Sequence, residues 1–141
     1  MKKLFLAALA VLMCASLVAC EKQSAARAER SKPRVSVTTQ SVQIRRAPAP
    51  NADITPEGRL RIDDIEVPLP DDQRMLLQQL FGQLQMVRQE TLASAPADPN
   101  NRGVKLQSNA QIDALRDQAF AEIATLKPYR DSFGNISGER R

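Results

Sequence analysis

At 141 residues, with 20 Lys plus Arg against 16 Asp plus Glu, no His, no Trp and two Cys, the chain holds material for one small domain. The missing imidazole removes histidine bases, histidine metal ligands and any side chain that ordinarily titrates near neutral pH. Two cysteines allow one disulfide at most and no zinc site built on cysteine alone.

Lys2 and Lys3 precede an apolar run from Leu4 to Ala19, broken only by Cys14 and Ser16, and Glu21, Lys22 and Gln23 follow at once. This is the layout of a secretory signal. At 16 residues the run is shorter than the roughly 20 that a spanning helix needs. It ends Leu17-Val18-Ala19-Cys20, which resembles the lipobox of bacterial lipoprotein precursors: an apolar residue, a small residue, then the cysteine. The resemblance covers residues 1–20. It implies that the lipoprotein signal peptidase reads Leu17, Val18 and Ala19 and removes residues 1–19, with a diacylglyceryl thioether and an N-acyl chain on Cys20. Cys14, which follows Met13 inside the apolar run, does not fit the motif. The implied partner is the lipid bilayer, held through Cys20, and no other cofactor is expected. Several chains anchor firmly because each buried methylene contributes about 0.8 kcal/mol. Residue 21 is Glu, not the Asp of inner-membrane retention, so the resemblance favours the outer membrane, on its periplasmic face. The mature chain would keep one cysteine, the acylated one, and so no disulfide.

Residues 20–56 read as a lipidated basic tether. Residues 21–50 carry seven cations (Lys22, Arg27, Arg30, Lys32, Arg34, Arg45 and Arg46) against two carboxylates, whereas 51–141 is net acidic. The Ala, Ser and Gln stretch to Pro33 has no apolar period, and Arg45 to Pro56 contains three prolines. Both segments read as flexible linker. Between them, 34–44 alternates at Val35, Val37 and Thr39, which fits a short strand or an extended linker equally well. Arg27, Arg30, Lys32, Arg34, Arg45 and Arg46 are candidates for binding anionic lipid, lipopolysaccharide or peptidoglycan, since basic residues near a membrane surface each add about 1 kcal/mol. Nucleic acid is not an expected partner, because export separates the chain from it.

Residues 57–130 read as a small α+β module, a β-hairpin packed on two antiparallel helices. In Gly58 to Leu69, Leu60 and Ile62 alternate with polar residues, as do Ile65, Val67 and Leu69 after Asp63-Asp64, giving a hairpin over 59–69. Pro70, Asp71 and Asp72 open a helix over 70–93. Its apolar stripe is Leu76, Leu77, Leu80, Phe81, Leu84 and Val87, and its remaining surface is rich in Gln. Met75 and Met86 fall near each other outside that stripe, a candidate surface for self-association or for an envelope protein. After a Pro, Asn and Gly loop, Ser108 and Gln111 form a capping-box pattern for a helix over 109–127. Its stripe is Ile112, Leu115, Ala119, Ile123 and Leu126, and Lys127-Pro128 stops it. Residues 131–141 read as a flexible tail. The pattern from Gly58 to Leu77, G-x-L-x-I-D-D-x-x-V-x-L-x-x-x-Q-R-x-L-L, resembles a strand-turn-strand-helix module of an uncharacterised family of proteobacterial periplasmic proteins and lipoproteins. That resemblance implies a local fold and carries no implication for activity.

No serine-hydrolase, phosphate-loop or dinucleotide fingerprint occurs. The stretch from Asp98 to Gly103 places Asp98, Asn100 and Gly103 as a calcium loop would, but Arg102 stands where an oxygen ligand is required and Asn109 where a bidentate Glu is. Asp63-Asp64 and Asp71-Asp72 are explained as a turn and a helix start. The expectation is a membrane-anchored, non-enzymatic interaction or structural lipoprotein, with no catalytic or metal-binding residue.

Overall fold

The computed structural model describes residue 28, residues 31–96 and residues 103–140. The chain divides into two compact units, Met1–Lys32 and Pro33–Arg141. The second unit holds the sheet and its helices.

The class is α+β. In chain order the elements are β1 (Arg34–Val37), β2 (Val42–Arg45), β3 (Ala52–Ile54), β4 (Leu60–Ile62), β5 (Ile65–Val67), α1 (Asp71–Ser94), β6 (Gly103–Lys105), α2 (Ala110–Glu122), a run of 3-10 turns (Ala124–Gly134) and β7 (Ile136–Glu139). The strands form one mixed sheet ordered β5-β4-β3-β2-β1-β7-β6. All neighbours are antiparallel except β1 and β7, which run parallel.

The expected two-stranded hairpin is therefore one end of a seven-stranded sheet, and residues 34–54 belong to that sheet rather than to a tether. Prolines misdirect the linker reading. Pro48, Pro50 and Pro56 all fall in the connections, where a missing N–H costs no ladder bond, and they leave Ala52, Asp53 and Ile54 free to pair. The 34–44 segment is itself a hairpin. Thr38 closes it, its hydroxyl accepting from the amides of Gln40 and Ser41. The peptide bond Ala47-Pro48, in the next connection, is cis. Between β3 and β4, Pro56, Glu57 and Gly58 form a three-residue loop closed by Thr55 and Arg59, with Gly58 in the left-handed region at φ 73°. The Gly58 amide donates to the Thr55 carbonyl at 3.0 Å.

The expected hairpin turn is present, with Asp63 at φ 47° and Asp64 at φ 65°. Both left-handed residues match the right-handed twist of the flanking strands, a conformation Asp tolerates better than most. On the second arm Ile65 points to the apolar side yet is exposed, because β5 is the edge strand.

Register aligns the apolar side chains on one face. Ile62, Ala52, Ile44, Val35 and Ile136 form one cross-strand row, and Val67, Leu60, Ile54, Val42 and Val37 a second. The opposite face carries Glu66, Arg61, Asp53, Gln43, Ser36, Ser137 and Lys105 in a polar row. The helices share the apolar core. Leu76, Leu77, Leu80, Phe81 and Leu84 of α1 and Ile112, Ala119 and Phe120 of α2 join it. At 24 residues α1 is about 36 Å long. Seven strands about 4.8 Å apart span about 29 Å, so one helix is long enough to cross the sheet from β5 toward β6.

α2 ends at Glu122, short of the expected 127. Ile123 is extended, and the chain continues in 3-10 turns that accommodate Pro128. Its N-cap is Asn109, whose side chain accepts from the Ile112 amide at 2.8 Å. Ser108, expected in that role, instead donates to Asp113 at 2.7 Å. The expected flexible tail over 131–141 is also overturned over its described residues: Ser132, Phe133 and Ile136 are buried, and β7 inserts between β1 and β6.

Candidate interaction surfaces

Three surface features bear on function: the exposed side of α1, the polar face of the sheet, and a depression near the β4–β5 turn.

The α1 stripe expected to face the core does so, with Val87 half-buried and Arg88 buried behind it. Sequence reading missed Arg88, because an arginine in that position looks like surface. Its stem lies against Gly138, where an added Cβ would stand 3.1 Å from the Arg88 Cγ and 3.0 Å from Leu106 Cδ2. The Arg88 Nε donates to the Glu139 carbonyl at 2.7 Å, so the charged head is satisfied while the methylenes pack. The absent side chain at Gly138 was the one available signal.

On its outer side α1 exposes Met75, Gln79, Gly82, Met86, Gln89 and Ala93. These positions are spaced 4, 3, 4, 3 and 4 apart, the spacing of a seam on which a second helix packs. None of the six is charged. Met75 and Met86 are 57% and 62% exposed and, with Ile65, are the exposed large apolar side chains of the described residues. A Cβ added to Gly82 would meet nothing within 4 Å, so the middle of the stripe is open.

The six basic candidates do not behave alike. Arg27 and Arg30 lie outside the described residues, as do the signal segment with Leu17, Val18, Ala19 and Cys20, and the Asp98 and Asn100 of the calcium-like loop. Lys32 is exposed. Arg34, Arg45 and Arg46 belong to the folded unit rather than to a tether. Arg46 is ion-paired to Asp131 at 3.2 Å. Arg34 and Arg45 stand directly opposite each other across β1 and β2, on the polar face.

That polar face also carries an ordered charge pair. Arg61 donates from Nε at 3.0 Å and from Nη2 at 2.9 Å to the same Asp53 oxygen, and this hydrogen bond, then the Asp53 charge, raises the guanidinium above its ordinary range. Arg59 meets Glu66 at 3.5 Å. Near the turn, Gln43, Arg45, Asn51, Asp53, Asp63 and Asp64 line a depression of about 190 Å³. The Asp63 carboxylate there accepts from the Asn51 amide at 3.0 Å. Tyr129 approaches the same end from the core side, donating to the Pro50 carbonyl at 2.8 Å. Burial, then the Asp63 charge, raises its phenol above the ordinary range.

Asp71 and Asp72 occupy the first turn of α1. Among the described residues no group of three or more His, Cys, Asp or Glu is placed to hold a metal ion, and no helix is long and apolar enough to cross a membrane. The fold and these surfaces define an α+β module with one polar sheet face and one long, half-exposed helix. Comparison with protein-family models, curated proteins and solved structures found no match.

Proposed function

We propose that this protein is a lipid-anchored, non-enzymatic interaction module of the bacterial envelope, and that the outer stripe of α1 is the surface it presents. The observation that carries the docking part is the uncharged 4-3 spacing of Met75, Gln79, Gly82, Met86, Gln89 and Ala93, all exposed on one side of a helix whose other side is committed to the core. Such a stripe fits an apolar or uncharged helix, in an envelope protein or in a second copy. Methionine adapts its shape to a partner, and a glycine between the two methionines permits close backbone approach. The anchoring part rests on the Leu17-Val18-Ala19-Cys20 motif at the end of the apolar run. The absence of histidine from the whole chain supports the non-enzymatic reading.

Two measurements test the two parts separately. Intact mass of protein from bacterial membranes, wild type beside Cys20→Ala, should show loss of residues 1–19 and acyl mass on Cys20 in the wild type alone. A soluble, unacylated chain cut elsewhere overturns the anchor. Photo-crosslinkers placed at Gln79 and Gln89 in the full chain should capture one discrete partner or a dimer. Replacing Met75 and Met86 with Glu should abolish that product. Equal yields from Gln79, Gln89 and the helix-start residue Asp72 would show that the stripe is not selective.

A further inference from the structure

We propose that Arg34 and Arg45 together bind a single oxyanion, a phosphate or a carboxylate, on the polar face of the sheet. This is independent of the α1 docking reading. The register places the two residues directly opposite each other in antiparallel β1 and β2, which brings their Cα atoms to about 4.5–5.5 Å and turns both side chains to the same face. Like charges in that relation repel. Five other arginines of the described residues, Arg46, Arg59, Arg61, Arg74 and Arg116, are ion-paired. Arg34 and Arg45 have no ion pair among the described residues, and Arg34 Nε is buried with no hydrogen-bond partner, alone in this among their side-chain nitrogens and oxygens.

An oxyanion answers both conditions at once. A small rotation of the Arg34 side chain uncovers Nε–H, from which the oxyanion accepts while its charge neutralises the repulsion, and the planar guanidinium fork suits the paired oxygens of phosphate or carboxylate. Half-buried Arg34 supplies one donor, and exposed Arg45 closes on the ligand from solvent. The surroundings limit what is bound. Asp53, Asp63 and Asp64 line the depression beside Arg45, so a dense anionic surface is repelled where one oxyanion is accepted. The ligand is thus one phosphate or carboxylate group, either free in solution or carried by a single lipid headgroup.

The test follows the guanidinium Nε–H resonances of the full chain in zwitterionic detergent, titrated with inorganic phosphate or acetate against chloride at matched ionic strength. The Arg34 Nε–H signal should shift saturably. Arg45→Gln should weaken the apparent affinity at least tenfold, Arg45→Lys should weaken it less, and Arg46→Gln should leave it unchanged. A response to phosphatidylcholine vesicles carrying a minor fraction of phosphatidylglycerol, but not to phosphatidylcholine alone, with none to free phosphate or acetate, assigns the oxyanion to a single lipid headgroup. No saturable shift with any probe, or a shift whose affinity survives Arg45→Gln, overturns the proposal.

Discussion

A methyl group added at Gly58 would meet the carbonyl oxygen of Arg74 at 1.9 Å, and its backbone would remain at φ 73°. At Gly82 the same methyl meets nothing. Gly58→Ala should therefore destabilise by about 2 kcal/mol or more, through clash and left-handed strain together. Gly82→Ala should stabilise by about 0.5–1 kcal/mol, because it removes unfolded-state freedom from an exposed helix interior. Chemical denaturation midpoints of the two variants, shifted in opposite directions, check this.

Tyr129 is the chain's single tyrosine and there is no tryptophan, so phenolate absorbance reports this residue alone. Burial raises its folded pKa above the unfolded value near 10. The folded state then holds the proton more tightly, so stability is fully present below the unfolded pKa and lost as pH rises through the folded one. Tyr129→Phe should cost about 1 kcal/mol near neutrality, through the lost bond to Pro50, and should flatten that alkaline loss. An unchanged alkaline slope in the variant would assign the loss to another group.

Among the elements, α2 depends on a cap that local pattern misplaced by one residue. Ser108 and Gln111 match a capping box, but Asn109 accepts the Ile112 amide. Asn109→Ala should cost about 1 kcal/mol, whereas Ser108→Ala, which loses only an exposed bond to Asp113, should stay within about 0.5 kcal/mol. Thermal unfolding of the pair decides between the two caps. α1 was legible because 24 residues repeat one stripe many times. Its outer seam was legible only as two methionines on a flank. The exposure of Gln79, Gly82, Gln89 and Ala93 depends on which side of the helix the sheet takes.

For the molecule as a whole, β7 is structural where a fraying tail was expected. It is the partner of β6 and the parallel neighbour of β1, and Ile136 is buried. A chain ending at Asn135 should lose cooperative unfolding by circular dichroism, because the sheet is then divided beside β1. A chain ending at Glu139 should retain it. Survival of a cooperative transition in the shorter chain would show that β1 to β5 with the helices suffice.

Sequence by itself determined the parts whose signal is local: the α+β class, the Asp63-Asp64 turn, the core stripe of α1 and the apolar face of α2. In each, a few neighbouring residues set the conformation, through backbone preference or a period repeated over several turns. Tertiary structure decided the rest. Strands of three or four residues carry too few alternations to separate from linker, and the β1–β2–β3 meander gains stability only as part of a larger sheet, to which β7 comes from the far end of the sequence. Pairing of Val35 with Ile136 spans a hundred residues, and no local pattern encodes it. The same holds for the surfaces. Arg34, Arg45 and Arg46 are equivalent as letters, and only strand register and the nearness of Asp131 set one of them in an ion pair and leave two facing each other.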